Sequence, residues 1–141
     1  MTTATDCVFC GIVAGDQPAE IVGENDRALA IMDINPATDG HTLVVSKRHA
    51  RDIWDLDQEV GAAVWLLTQE VADAIRRGRR PEGLTLFQAN AKAGWQDVLH
   101  FHVHLVPRWL DDDLVKPWRA SASRRAGVAA AAARIRAAGA W

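Results

Sequence analysis

The longest periodic stretch of apolar residues lies in the middle of the chain. Apolar side chains recur there every three or four positions, which predicts one amphipathic helix with a single buried face, formed by Leu56, Val60, Val64, Leu67, Val71 and Ala74. Asp57 is suited to cap the start of this helix, and Gly78 is suited to end it. The rest of the chain shows a different pattern of apolar residues.

Short apolar runs rich in β-branched residues predict five strands, at residues 19–23, 27–32, 41–46, 84–89 and 98–106. We expect Pro107 to end the last strand because proline cannot donate to a ladder. A short helix over residues 7–14, ending at Gly15, precedes the strands, and an alanine-rich segment predicts a helical tail from about residue 121. The order of elements predicts an α+β domain with an antiparallel sheet.

A chain of 141 residues fits one domain. We expect a core at about residues 7–110 within a single domain over 1–141, followed by a tail at 111–141. All 18 acidic residues precede residue 116 and six basic residues follow it, so the net charge of -2 divides into -8 and +6. The basic tail lacks interleaved aromatic residues, which argues against nucleic-acid binding. Without a signal sequence or an apolar run of membrane length, the chain is predicted to be cytoplasmic and not bound to a membrane.

The two cysteines, Cys7 and Cys10, stand in a Cys-x-x-Cys arrangement near the start. Two cysteines so close together are no framework for a disulfide-stapled secreted domain, which agrees with a reducing compartment. By itself the motif leaves three interpretations open: a metal site, a redox dithiol and two buried thiols. A closed zinc site would need two further ligands.

Three histidines alternate with apolar residues in the run LHFHVHLVPR. On a strand, His100, His102 and His104 would share one face while Phe101, Val103 and Leu105 enter the core. Crowded imidazoles repel one another when protonated, so a purely structural strand gives no reason to carry them. They could hold a catalytic zinc together, or one could act as a nucleophile while its neighbours position substrate and protons.

With these histidines, four ordered blocks of the chain resemble the histidine triad (HIT) family of nucleotide hydrolases and transferases. The blocks are CVFCGIVAG near the start, MDINP at 32–36, GHTLVV with KRH over 40–49, and the triad with its LVPR over 100–108. The resemblance implies an α+β subunit with about five antiparallel strands, a two-fold homodimer, and attack on the α-phosphate of a purine nucleotide.

The resemblance implies that His102 is the nucleophile and His104 a phosphate contact. A neutral imidazole can displace the group beyond the α-phosphorus, and water can then release a nucleoside monophosphate from the labile nucleotidyl-histidine. Uridylyltransferases of the family carry Gln at the third triad position, so His104 favours hydrolysis of a phosphoanhydride or phosphoramidate. The alternatives are a non-catalytic nucleotide-binding module and a zinc-dependent hydrolase that uses all three triad histidines.

The family's nucleotide pocket maps onto two parts of the chain. By resemblance, the base and ribose contacts fall to Phe9, Ile12, Ile31, Asp33 and Ile34. Taken alone, the apolar residues would be core and Asp33 would equally suit a turn before Asn35-Pro36.

By resemblance the phosphate loop includes Asn90, Gln96, Asp97 and Val98. The family commonly has Gly and Ser where this chain has Trp95 and Asp97. Because a carboxylate only accepts hydrogen bonds, Asp97 puts the usual contact to the leaving group in doubt.

A branch of the family pairs an N-terminal Cys-x-x-Cys with two histidines. In this chain the matching set is Cys7, Cys10, His49 and His100, which implies a structural Cys₂His₂ zinc that ties the N-terminal helix to the sheet. No organic cofactor is expected. His41, at the start of a predicted strand, is expected to be a hydrogen-bonded residue without a catalytic role.

Overall fold

The computed structural model describes residues 4–141, so that residues 1–3 of the predicted domain lie outside the described part. Its centre is a five-stranded antiparallel sheet in the order β1-β2-β3-β5-β4. The strands are β1 (Ile21–Glu24), β2 (Ala28–Met32), β3 (Thr42–Ser46), β4 (Gly83–Phe87) and β5 (His102–Arg108). The helices are α1 (Val8–Ala14), α2 (Gln58–Arg79), α3 (Ala122–Ala126) and α4 (Val128–Ala138). The predicted α+β class with an antiparallel sheet is confirmed.

Helix α2 begins where the sequence predicts and ends later. The Asp57 side chain accepts a hydrogen bond from the Glu59 N–H and so caps the helix. Gly78 lies inside the last turn, and Arg80 closes the helix in the left-handed conformation at φ 51°. The prediction that Gly78 ends the helix is therefore wrong: helix formers follow it, and Pro81 comes directly after the left-handed residue.

The two faces of the sheet hold different cores. One face packs on α2 through every second residue of the strands, among them Ala28, Ala30, Val44, Val103 and Leu105. The other packs on α1 through Leu29, Ile31, Leu43 and Val45, which join Cys7, Phe9 and Ile12. Since neighbouring residues of a strand point to opposite faces, His102 and His104 lie on the α1 face. Helix α1, which begins directly after Cys7 and contains Cys10, therefore lies over this face.

Strand β5 differs from the predicted strand at both ends. It starts at His102, so His100 lies in the irregular segment before it, and it continues through Pro107 to Arg108. Pro107, which has no N–H to donate, is tolerated because it faces β3 and not β4. The Arg108 carbonyl accepts from the Glu82 N–H on the β4 side, so the preceding Pro107 faces the other way. Pairing with β3 ends at Leu105, and the Pro107 carbonyl instead accepts from the Thr38 hydroxyl at 2.6 Å.

The tail forms two helices where one was predicted. Ser121 caps α3, and Gly127 separates α3 from α4. None of the residues of either helix is buried, and these helices contact each other. Among residues 4–141 no helix is both long and apolar enough to cross a membrane.

Candidate functional site

The centre of the candidate site is the imidazole of His102, on the first residue of β5. The ring is 2% exposed and meets the edge of the Phe9 ring at a centroid distance of 5.2 Å. Its Nδ1 lies 2.7 Å from the carbonyl oxygen of His100. Because a carbonyl only accepts, Nδ1 carries the proton, and the lone pair of a neutral His102 is on Nε2. A local backbone contact thus fixes the tautomer that a nucleophile requires.

The neighbouring His104 has its proton placed by a chain of hydrogen bonds. The Ala37 N–H donates to His41 Nδ1 at 3.0 Å, so the proton of His41 is on Nε2. His41 Nε2 lies 2.9 Å from His104 Nδ1, which therefore accepts. The proton of His104 is left on its Nε2. This atom is a neutral hydrogen-bond donor on a ring whose centroid lies 4.8 Å from that of the His102 ring.

Burial keeps this pair of histidines uncharged. Burial, with the nearby His102 and His41, lowers the pKa of His104 from 6.5 to about 4. Burial also lowers the pKa of His41, although Asp33 opposes that shift from 3.5 Å. The Phe87 ring stacks on His104 at 3.9 Å with an interplanar angle of 10°. His104 is therefore held flat against β4 and neutral at physiological pH.

Gln96 fastens the loop that follows β4. Its side chain is 7% exposed, and its amide nitrogen donates to the carbonyl oxygens of Arg51 at 2.6 Å and Val98 at 3.0 Å. Its amide oxygen accepts from the Ala91 N–H at 2.8 Å. Gln96 thus ties both ends of the loop to each other and to the segment before α2. Its hydrogen bonds are internal to the protein.

Asn90 is also engaged within the protein. Its side-chain oxygen accepts from the Ile53 N–H at 2.8 Å, and its nitrogen donates to the Gln88 side chain at 2.6 Å. Between Asn90 and Gln96, Ala91 adopts φ 60° and ψ 169°, a region that is essentially restricted to glycine. The Gln96 contacts hold this strained backbone.

Asp97 places a carboxylate in front of the triad. Its Oδ1 lies 3.6 Å from His102 Nε2 and accepts from the Val98 N–H at 2.8 Å. The side chain is 77% exposed. Val98 packs partly buried against the core beneath α1. The lone pair of His102 therefore lies beside a negative charge.

The five residues expected around the nucleoside are divided between core and surface. Phe9, Ile12 and Ile31 are buried in the α1-side core. Ile34 is 88% exposed. Asp33 accepts from the Asn35 N–H through Oδ1, as in a turn, while its Oδ2 faces His41. The structure brings Phe9 against the triad and connects Asp33 to it through His41.

A second cluster, Cys7, Cys10, His49 and His100, lies at the start of α1. The distances are 3.3 Å from Cys7 Sγ to His100 Nδ1, 3.3 Å from Cys10 Sγ to His49 Nδ1 and 3.5 Å from Cys10 Sγ to His100 Nδ1. All four ligand atoms lie within 4.8 Å of one another. Tetrahedral Zn²⁺ with ordinary bond lengths sets a sulfur–nitrogen separation of about 3.6 Å, so the set fits that ion.

The protonation of this cluster also fits a metal. His100 Nε2 donates to the Ser46 carbonyl at 2.6 Å, which leaves the Nδ1 lone pair directed at the sulfurs. Burial lowers the pKa of His100 to about 4, so it is neutral. Burial and the adjacent Cys7 raise the pKa of the Cys10 thiol to about 11. A cation between the sulfurs would remove the repulsion that disfavours two thiolates.

Two residues of the site escaped the sequence analysis. His41 was expected only to be hydrogen-bonded, and Phe87 was not considered. Each acquires its position from strand pairing: Phe87 is opposite His104 in the β4–β5 register, and His41 precedes β3, in which Leu43 is opposite His104. The register is the signal that would have identified them.

The geometry has clear counterparts among known proteins. The family model of the HIT domain matches residues 14–109 of the sequence. A HIT family protein from Bacillus anthracis superposes with a TM-score of 0.89 at 32% identity, over 97% of this chain and 99% of that one. A zinc-bound histidine triad family protein from Mycobacterium smegmatis has a TM-score of 0.75 at 37% identity, over 97% and 100% of the two chains.

A relative with a named activity is also similar. The adenylylsulfatase HINT3 of Arabidopsis thaliana is 32% identical over 124 residues, which are 88% of this chain and 61% of that protein.

Proposed function

Since this chain belongs to the histidine triad (HIT) family, we propose that it is a hydrolase that cleaves a phosphoanhydride or phosphoramidate bond at the α-phosphate of a purine nucleotide. The observation that carries the proposal is the Nδ1–H of His102 bonded to the His100 carbonyl, which leaves a nucleophilic lone pair on Nε2. The similarity to a named adenylylsulfatase supports hydrolysis as the reaction class.

The reaction proceeds in two displacements. His102 Nε2 attacks the α-phosphorus, the bond to the leaving group breaks, and a nucleotidyl-histidine forms. Water then attacks the same phosphorus and gives up a proton to solvent, the N–P bond breaks with its electron pair returning to His102 Nε2, and the nucleoside monophosphate leaves. Throughout the reaction, the Nδ1–H of His102 donates a hydrogen bond to the His100 carbonyl oxygen, which lies 2.7 Å from Nδ1. This backbone acceptor stabilises the positive charge of the nucleotidyl-histidine.

His104 supplies a preorganised donor for the phosphate oxygens. Its Nε2–H is oriented by the bond from His41 and by the Phe87 stack. Phosphoryl transfer needs positioning and charge stabilisation more than covalent help, so a fixed neutral donor suits it. Phe9, Ile12, Ile31 and Ile34 are proposed to contact the base, and Asp33 the ribose hydroxyls. Asn90, Gln96, Asp97 and Val98 are proposed to contact the phosphate or leaving group.

The structure weighs against a hydrolase in which one zinc is held by all three triad histidines. His100 directs Nδ1 at the two sulfurs and Nε2 at Ser46, so no ring nitrogen of His100 remains for a metal shared with His102 and His104. The other alternative, a binding module without activity, has no support from the preset tautomers, which binding alone does not require.

The test is hydrolysis by the His102→Ala variant. Turnover of an adenosine phosphoramidate and a diadenosine polyphosphate, followed by release of the monophosphate, should be abolished while monophosphate binding measured by calorimetry is kept. Denatured wild-type protein, quenched during turnover, should carry a nucleotidyl adduct by mass spectrometry. Retained turnover in the variant would remove His102 as nucleophile. Tight monophosphate binding without turnover of any substrate by the wild type would favour the binding module.

We further propose that Cys7, Cys10, His49 and His100 hold a structural zinc. When bound, the ion would link α1 to the segments before α2 and β5, and so fix the His100 carbonyl on which His102 rests. Metal analysis of protein purified without a His-tag should find close to one equivalent of zinc, and Cys10→Ser should lose most of it. Less than a tenth of an equivalent in the wild type would contradict this site.

We propose a homodimer formed by the free edge of β4. This outer strand exposes Leu86 and Phe87 at 38% and 45%, and an uncovered edge with apolar side chains favours pairing with a second copy. Light scattering coupled to gel filtration should give twice the mass of 15.4 kDa. A monomer at micromolar concentration would contradict the dimer.

A further inference from the structure

The carboxylate of Asp97 is an unexpected neighbour for a group that attacks phosphate. Substrate phosphate oxygens must come close to His102 Nε2, and Asp97 Oδ1 lies 3.6 Å from that atom. Two negative charges at such a distance repel each other. Any gain from this residue must therefore come from a positive group of the substrate.

Asp97 is held in place rather than loosely exposed. It follows Gln96, which is 7% exposed and makes three hydrogen bonds within the protein. Its own Oδ1 accepts from the Val98 N–H. The residue before Asp97 is thus fixed within the loop, and the carboxylate itself is held by one backbone N–H. Its Oδ2, for which the structure gives no protein hydrogen bond among the described residues, is available to a ligand.

A leaving group in line with His102 Nε2 would depart near this carboxylate. In-line attack at a reacting distance of 3–3.5 Å places the departing atom roughly 5 Å from Nε2. With Oδ1 held 3.6 Å from Nε2, a carboxylate that is 77% exposed has room to meet such an atom through Oδ2 while Oδ1 keeps its bond from the Val98 N–H. The chemistry of the departing atom then decides whether Asp97 helps or hinders.

Resting on the hydrolase function proposed above, we propose that Asp97 makes the enzyme selective for phosphoramidates, whose leaving group is an amine, over phosphoanhydrides. An amine departs once its nitrogen has taken a proton from solvent, and that nitrogen is positively charged until the bond breaks. Asp97 accepts a hydrogen bond from it and stabilises the charge. A phosphate leaving group is instead an anion that the same carboxylate repels.

The bonds and charges balance as follows. The Nε2 lone pair of His102 forms the new N–P bond, and the P–N bond to the protonated leaving nitrogen breaks. Its electron pair stays on that nitrogen, which departs as a neutral amine with the proton it took from solvent. Once protonated again in solution the amine is an ammonium ion. Apart from this proton from solvent, the step needs no oxidant, metal or co-reactant.

The test compares kcat/KM for an adenosine N-alkyl phosphoramidate and a diadenosine polyphosphate in the full-length protein. Asp97→Asn removes the charge but keeps the oxygen that accepts from the Val98 N–H. The exposed Asp113 offers a matched loss of one negative charge as Asp113→Asn. We expect wild type and Asp113→Asn to prefer the phosphoramidate. In Asp97→Asn the ratio of the two constants should fall about tenfold or more, through slower phosphoramidate and faster anhydride turnover.

Each other outcome overturns the inference. Unchanged rates on both substrates in Asp97→Asn would show that the residue serves as a backbone cap, while the hydrolase function would stand. Equal losses on both substrates would make Asp97 a positioning residue without selectivity. A wild type that prefers the anhydride contradicts the proposal directly. A wild type that turns over neither substrate fails the hydrolase function as well.

Discussion

Acidification should destabilise the protein through His104, because this histidine is neutral in the fold and would be charged in the unfolded chain. Its pKa is about 4 in the folded state against 6.5 ordinarily. Between those values the unfolded chain binds a proton that the folded protein does not. Stability therefore rises with pH across this window, and it is lost as the pH falls from about 6.5 toward 4.

The magnitude follows from the two pKa values. With a pKa of about 4 in the folded state and the ordinary value in the unfolded chain, protonation of His104 lowers the free energy of unfolding by about 2 kcal/mol between pH 7 and pH 5. His104 is 8% exposed, so screening by solvent reduces this only a little. His100 shifts in the same direction, and loss of zinc from its cluster would add to the effect. A difference between variants is needed to isolate His104.

The assay is urea unfolding at pH 7 and pH 5, followed by tryptophan fluorescence at constant ionic strength. His104→Asn is the perturbation because asparagine does not titrate and can still accept from His41 Nε2–H. The wild type should lose about 2 kcal/mol more than the variant between the two pH values, since the His100 and zinc contributions cancel in the comparison. Equal losses in the two proteins would refute the assignment of a neutral, buried His104.

Three further substitutions test the site. Ala91→Gly should raise Tm by about 2–4 °C, because glycine relieves roughly 1–3 kcal/mol of backbone strain and costs less than that in flexibility. The control Ala93→Gly, in the following turn, should lower Tm. A lower Tm for Ala91→Gly would contradict the strain. His41→Phe should reduce kcat/KM, measured by steady-state kinetics, about tenfold while monophosphate binding is retained, since His104 loses the donor that orients it. An unchanged kcat/KM would remove His41 from the site. Gln96→Leu should cost about 3 kcal/mol in urea unfolding through three lost hydrogen bonds, and a loss within error of zero would show that the loop is held by other contacts.

Local patterns were enough to predict much of the fold. The period of apolar residues identified α2 and its Asp57 cap, and short β-branched runs identified all five strands. These features depend on neighbours along the chain, so one sequence shows them. Boundaries were predicted less well where a distant partner decides them: Pro107 remains in β5 because the β3 edge has ended beside it.

The cluster of zinc-ligand candidates illustrates the same division. The residues Cys7, Cys10, His49 and His100 were named from the resemblance, but their spacing along the chain gives no distance. The packing of α1 against the sheet brings their ligand atoms within 4.8 Å of one another. The Ser46 carbonyl then decides which nitrogen of His100 faces the sulfurs. Such a contact between residues 54 positions apart has no local signature.

The sequence by itself determined the kind of fold and the family, and it predicted the histidines proposed to carry the chemistry, because periodicity and motifs are properties of neighbouring positions. Tertiary structure decided which nitrogen of His100 and of His104 bears the proton, since the Ser46 carbonyl and His41 set it from distant parts of the chain. It also brought His41 and Phe87 to His104 through strand register. Hydrogen-bond direction depends on positions in space, and folding creates these positions.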